Sequence, residues 1–489
     1  MNTLLERGIR KAKRVVKYFT PMPDYACTPP MPKTLVAGFI HRIPCDLHSA
    51  TAADIAERDE LAVRLRWIGK DGLLFYGGQA PILRGDRSQT STRVIVAARA
   101  PDRPEDYALS VSLVRGRREK ILAQSGAEWS ILPLKESNGF YHYGEYMIGL
   151  DASTRCNLEC IFCLREFMEH LPPAEVTREE MEQLAQQAFD GCSGLSLSLG
   201  AEPLLNTQLE KIVDLLGRYP YLFTTMTSNG TTLGEKLARL LVTRGYKEIS
   251  VSIDGATKET YESIRKGARF EQLIRNLKRL QAIKREVGSP YPRLKFHFAM
   301  MRRNIHELPA FVEMARELGA EEIRFQYFMI PHESLTDECL WFDPETTNRF
   351  LSEARRKCEE YGIRIDAPPL FDLTRQAGSQ KQLRTQQCRW PWKGMLLGPQ
   401  GEAYPCCQWK GPILGNVKEQ GFETVWNGEA YRQLRRDWIS GELNEHCRNC
   451  SALMEGDVND FSSFIAAEYE LINQKKPPVH TRPALQEET

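Results

Sequence analysis

The sequence predicts a multidomain α/β protein built on a partial (β/α)6 barrel, with a β-sandwich before it and a cysteine-bearing domain after it. Three observations predict this. From about residue 34 to 135 apolar and polar residues alternate, beyond residue 145 short apolar runs alternate with charged helix-periodic segments, and residues 385–456 gather five of the thirteen cysteines. A chain of 489 residues has the length for several domains and one large core.

Lys and Arg total 65 against 64 Asp and Glu, a formal charge of +1, so no global field draws the chain toward nucleic acid, and no motif for one is present. The sequence holds no run of about 18 apolar residues and its first residues lack the apolar centre of a signal peptide, which makes the cytoplasm the expected address. Cysteines kept reduced there are candidates for metal ligation where they cluster.

Residues 1–32 read as a basic amphipathic helix over 4–19, suited to peripheral contact with an anionic membrane or to docking on the protein, followed by a proline-rich linker. In 33–136, Leu61, Val63, Leu65 and Trp67, then Tyr107, Leu109, Val111 and Leu113, mark half-buried antiparallel strands at sandwich spacing. Residues 140–375 carry the barrel, TIM-like in grammar, with strands expected at 146–151, 194–199, 222–227, 248–253, 294–300 and 322–328. Helices are expected at 176–190, 233–244, 269–286 and 306–318. Active sites of such folds gather at the C-terminal ends of the strands. Residues 385–456 form the cysteine domain and 457–489 a closing helix and mobile tail.

The stretch TRCNLECIFCLRE follows the first barrel strand and spaces Cys156, Cys160 and Cys163 as C-x3-C-x2-C. On residue type alone this fits a zinc site short of one ligand, or apolar filling, as well as a cluster. Thiolates are the usual ligands of a 4Fe-4S cluster, and three of them leave one iron open. In its spacing and its place after the first strand, the stretch resembles the radical S-adenosylmethionine (SAM) superfamily. That resemblance implies that SAM chelates the open iron and is cleaved reductively to a 5′-deoxyadenosyl radical, which takes hydrogen from a substrate carbon.

The resemblance extends position by position. Phe162 matches the aromatic that packs near adenine. Gly200, Ala201 and Glu202, followed by Pro203, match a Gly-Gly-Glu-Pro motif that meets the methionine amino group, with Ala at the second place. Ser228 and Asn229 end the third strand, and Ser252 and Asp254 the fourth, where the family places contacts to ribose and carboxylate. Arg265 in YESIRKG is a further partner for the SAM carboxylate, since a guanidinium matches a carboxylate fork.

Cys388, Cys406, Cys447 and Cys450 resemble the twitch domain, the shorter relative of the SPASM extension. They imply one auxiliary 4Fe-4S cluster with all four corners taken, which suits electron transfer. Zinc is the competing ligand, although only one C-x2-C pair is present. Cys407 competes with Cys406 as ligand. Cys27, Cys45, Cys192, Cys339 and Cys358 have no partner spacing and read as packing residues.

The sandwich resembles Ig-like domains appended to some bacterial polysaccharide-export and sugar-modifying proteins, which tilts the expected substrate toward a carbohydrate or glycoconjugate. The implied reaction is dehydrogenation, with a flavodoxin or ferredoxin-type electron donor. Epimerisation, with Cys407 or Cys339 as hydrogen donor, and peptide modification are the alternatives, and a glycan-binding scaffold is the non-enzymatic one.

Overall fold

The computed structural model describes residues 25–28, 35–37, 39–49, 61–71, 73–81, 91–115, 118–124, 129–142, 144–164, 173–374, 388–448, 450 and 461–466. The amphipathic helix expected at 4–19 and the tail beyond 466 lie outside them. The chain divides into two compact units, residues 1–145 and 146–489.

The first unit is all β. Its strands are β1 (Tyr25–Thr28), β2 (Leu35–Val36), β3 (Ile40–Ser49), β4 (Leu61–Ile68), β5 (Leu74–Pro81), β6 (Ser91–Arg99), β7 (Asp106–Arg115), β8 (Arg118–Gln124) and β9 (Trp129–Leu132). They form one sheet ordered β1-β3-β6 and another ordered β2-β9-β7-β4-β5, with β8 paired to β7. The alternation read from the sequence is the burial pattern of β4, where Leu61, Val63, Leu65 and Trp67 turn inward. Ile43, Cys45 and Leu47 of the first sheet share one core with Val63, Trp67, Leu109 and Trp129 of the second, which makes a sandwich. The Trp67 and Trp129 rings meet edge to face at 5.7 Å, and Trp67 Nε1 donates to Arg99 O at 2.9 Å, so the indole is buried without losing its hydrogen bond.

The second unit holds a nine-stranded, mostly parallel sheet. Its barrel strands are β10 (Tyr146–Leu150), β12 (Cys192–Ser196), β13 (Phe223–Ser228), β14 (Glu248–Ser252), β16 (Arg293–Met300) and β17 (Glu322–Tyr327). The intervening pair β11 (Glu159–Cys160) and β15 (Arg265–Lys266) form a separate two-stranded ladder. The crossover helices are α1 (Arg178–Ala188), α2 (Leu209–Leu216), α3 (Glu235–Thr243), α4 (Lys258–Ile264), α5 (Phe270–Val287), α6 (Leu308–Glu317) and α7 (Pro344–Tyr361), the last leading to β18 (Arg364–Asp366). Thr177 and Glu180 close a capping box on α1, and α5 and α7 end at Gly288 and Gly362 with φ of 70° and 66°.

The cysteine domain is continuous with this sheet. Strand β19 (Gly394–Leu397) lies parallel to β10 on the side away from β12, and β20 (Ala403–Tyr404) completes a hairpin with it, so the sheet runs β18-β17-β16-β14-β13-β12-β10-β19-β20. Helices cover one sheet face, where Phe298 and Phe325 pack edge-on against Phe311 of α6. The other face of the barrel strands is polar and half-buried to exposed, with Ser196, Ser198, Thr225, Thr227, Ser252, His297 and Arg324 along it. Among the described residues no helix is long and apolar enough to cross a membrane.

Candidate active site at the strand ends

The site begins where β10 ends. Asp151 Oδ1 accepts the backbone N–H groups of Leu199, Gly200 and Ala201 at 2.6, 3.0 and 3.4 Å, which gathers the turn after β12 around one carboxylate. Glu202 N donates to Arg155 O at 2.9 Å, tying that turn to the cysteine loop. Glu202 is 2% exposed. Its Oε1 accepts from Ser228 Oγ at 2.7 Å and Leu204 N at 3.0 Å, and its Oε2 from Asn229 N at 2.7 Å. Burial raises the Glu202 pKa, against the pull of the three donors.

Asn157, between two of the cysteines, donates to Thr231 Oγ1 and accepts from Asn229 Nδ2, each at 3.0 Å, so the loop is stitched to the end of β13. Ser252 is half-buried at the end of β14. Asp254, two residues on, is 1% exposed; Ala299 N donates to its Oδ1 at 2.8 Å, and Arg265 Nη2 lies 2.7 Å from its Oδ2. Burial raises the Asp254 pKa while Arg265 opposes that rise. Glu307 caps the loop that follows, accepting from Ala256 N, Thr257 Oγ1 and Thr260 Oγ1 at 2.6 Å each.

Cys160 is buried, Cys163 half-buried and Cys156 exposed. Burial pushes the Cys160 thiol up to about 11, with Arg265 pulling it down and Asp254, Cys163 and Cys156 adding to the rise. Phe162 packs edge-on against Phe328 at 6.1 Å beside an apolar cluster that holds Met301, Trp341 and Phe464. Cys339 lies in that cluster, 0% exposed, and burial pushes its thiol to about 12. Apolar side chains therefore enclose the Cys339 thiol.

The C-terminal cysteines converge as a second group. Burial raises the pKa of Cys388, further raised by Cys447 and Cys450; it raises Cys406 to about 12, with Cys407, Cys450 and Cys388 adding; and it raises Cys447, with Cys450 adding. Cys407 is exposed and Cys406 half-buried. Trp409 stacks edge-on with His446 at 5.1 Å. No group of three or more His, Cys, Asp and Glu side chains among the described residues closes on a single metal ion. A cubane asks for something else, since each thiolate binds a different iron.

Two unspent polar groups fit the amino-acid end of SAM. A carboxylate offers about four lone-pair sites, and Glu202 uses three, leaving one acceptor for an ammonium. Arg265 Nε is buried without a hydrogen-bond partner among the described residues, leaving one donor for a carboxylate. An added Cβ at Gly200 would meet nothing within 4 Å, so the turn borders open space. Sequence reasoning missed Asp151, Asn157, Thr231 and Glu307. The first reads only as the end of a strand, and the others carry no local pattern that reveals their partners.

These cysteines, the acidic turn after β12 and the barrel that presents them define an iron–sulfur enzyme that uses SAM. Residues 151–315 match the radical SAM superfamily and residues 388–451 match the SPASM iron–sulfur cluster-binding domain. The chain belongs to the radical SAM superfamily, and its cofactors are SAM and 4Fe-4S clusters, auxiliary cluster included. It is similar to the AdoMet-dependent heme synthase of Methanosarcina barkeri, 26% identical over 339 residues covering 64% of this chain and 93% of that one. A probable GTP 3′,8-cyclase of Methanocaldococcus jannaschii is 30% identical over 230 residues, 44% of this chain and 74% of that one. The mycofactocin maturase of Mycobacterium tuberculosis is 26% identical over 311 residues, 60% and 73% of the two chains.

Proposed function

We propose that this radical SAM enzyme removes two hydrogens from a carbohydrate or glycoconjugate. The observation that supports this substrate class is the inner face of the barrel, where Thr225 and Thr227 place hydroxyls beside His297 and Arg324, while Ser196 Oγ donates to Ser198 O and Ser198 Oγ accepts from Thr227 N. Small hydroxyl-bearing side chains exchange hydrogen bonds with a polyol and offer an apolar substrate nothing.

In this reading Cys156, Cys160 and Cys163 hold the SAM cluster, and Cys388, Cys406, Cys447 and Cys450 the auxiliary one. The auxiliary match contains five cysteines, four for one cluster and Cys407 over, too few for two. Glu202 accepts from the amino group, Arg265 Nε donates to the carboxylate, and Ser252 and Asn229 lie where ribose and carboxylate contacts would form. Ser228 and Leu204 hold the Glu202 carboxylate in place, and Asp151 fixes the turn that carries it. When bound, the cofactors supply one-electron transfer and hydrogen abstraction from an unactivated carbon. Phe162 and the apolar cluster behind it shield the Cys160 end of the loop, where Cys160 is buried, while Cys156 stays exposed.

A second reading, peptide modification, is favoured by the similarity to the mycofactocin maturase over 60% of the chain. Anaerobic turnover with a flavodoxin-type donor, offered sugar nucleotides and polysaccharide fragments in one arm and peptides in the other, separates the two. A sugar product two mass units lighter, with one SAM consumed per turnover, is the expected result. The same loss on a peptide alone would reject the carbohydrate.

A further inference from the structure

Arg265 occupies a junction that binding a carboxylate through Nε does not account for. β15 pairs antiparallel with β11 so that Arg265 stands opposite Cys160, and Ile161 N donates to Ile264 O at 3.0 Å. This short ladder fixes the arginine's backbone to the cysteine loop itself. The side chain then returns over the same cysteine. Nη1 donates to Cys160 Sγ at 3.6 Å, Nη2 is 2.7 Å from Asp254 Oδ2, and the guanidinium carbon is 5.9 Å from the Phe162 ring centre. The Arg265 and Asp254 side chains are 11% and 1% exposed, so water screens neither charge well.

We propose that Arg265 is a positioning residue that sets the reduction potential of the cluster at Cys156, Cys160 and Cys163, with Asp254 opposing it. This rests on the reading that those three cysteines hold the cluster. Reduction takes one electron from an external flavodoxin or ferredoxin-type donor and adds one negative charge to the cluster. A cation beside one of its thiolates, donating N–H to the sulfur, stabilises the more negative state and raises the potential. The Asp254 carboxylate has the opposite sign and meets the other terminal nitrogen of the guanidinium, so it tempers the field and keeps the arginine in register. Two separate N–H prongs are needed to span a sulfur and a carboxylate, which the single ammonium of a lysine does not supply.

The test is an EPR-monitored potentiometric titration of the anaerobically reconstituted full chain without SAM, so that a role in SAM binding cannot move the result. Arg265→Gln is expected to lower the midpoint of the cysteine-loop cluster by about 59 mV or more, a tenfold fall in its reduced-to-oxidised ratio at fixed potential. Asp254→Asn is expected to shift the same midpoint upward, and the auxiliary cluster should stay put in both. If Arg265→Gln fails to hold the cluster, the charge-balanced Arg265→Gln/Asp254→Asn double variant replaces it, and its midpoint should still lie below that of the wild type, because the removed cation donates directly to the sulfur. An unmoved midpoint in a variant of normal iron content overturns the proposal, as does a shift of the same sign in both single variants. Absence of the cysteine-loop cluster from the wild type overturns the cysteine assignment and the proposal together.

Discussion

Replacing Glu202 with Gln isolates the acceptor on which the proposed SAM site depends. The carboxylate receives three donors, Ser228 Oγ and Leu204 N on Oε1 and Asn229 N on Oε2. If Gln keeps its oxygen toward Ser228 and Leu204, its NH2 faces the Asn229 N–H, donor against donor. The opposite flip confronts the Leu204 N–H in the same way. One buried backbone donor is therefore left unpaired, at a cost of roughly 1–3 kcal/mol. Against this, Gln removes a buried charge whose pKa burial has already raised, which returns part of that cost. The net loss in folding stability is expected to stay near 1 kcal/mol. Binding has no such compensation. The lone pair left for the methionine ammonium becomes that of a neutral amide or an NH2, and a charge-assisted hydrogen bond of about 1.5–3 kcal/mol weakens or vanishes. SAM affinity should fall by about 10- to 100-fold. Calorimetry of SAM binding to the cluster-loaded chain, with a thermal melt beside it, reads both quantities. A dissociation constant within twofold of wild type, in a variant that melts normally, would refute the assignment of Glu202.

Other outcomes follow from the same geometry. Replacing Cys156, Cys160 and Cys163 together with Ala should abolish 5′-deoxyadenosine formation and cut bound iron from about eight to about four per chain; stoichiometric zinc in the anaerobic wild type would remove the auxiliary cluster from the account. Turnover in deuterated water should leave the product free of solvent deuterium at an inverted carbon, and deuterium there that disappears in Cys407→Ala would establish epimerisation instead. His41 is fully buried between Val36 and the His142 carbonyl, and burial lowers its pKa to about 4. The unfolded imidazole titrates near 6.5, so the stability contributed by the neutral ring is complete above that pH and is lost as pH falls toward 4, about 3 kcal/mol in total. The melting temperature of the sandwich should drop between pH 7 and 5, and an equal drop in His41→Gln would exclude His41 as its source.

The barrel was legible because its strands are apolar enough on the helix-covered face to stand out between charged helices. The expected 294–300 and 248–253 became Arg293–Met300 and Glu248–Ser252, displaced by a residue at most at each end. Helix α7 is not legible in the sequence because PETTNRFLSEARRKCEEY buries only Thr347, Leu351, Ala354 and Cys358, a stripe too thin to rise above its charges. The pairing of β19 with β10 was not legible at all. GMLL is a short apolar run like many others, and its partner lies on a strand hundreds of residues upstream, so only the closed sheet reveals that the cysteine domain extends the barrel.

The candidate site divides along the same line. Residues whose chemistry is carried by type and spacing, such as Cys156, Cys160, Cys163 and Glu202, can be proposed from the chain alone. Those that act by where they are held cannot. Arg265 shows the difference, because its residue type suggested a carboxylate, and the sequence gives no hint that two residues of β15 would pair with two of β11 and bring the guanidinium to Cys160. Asp151 is similar, since three N–H groups from a turn about fifty residues later converge on its one oxygen only after β10 and β12 have paired. Type therefore identifies what can react, and the strand register decides which buried charges stand beside it. In a site whose chemistry begins with one electron, those neighbouring charges determine how readily the electron arrives.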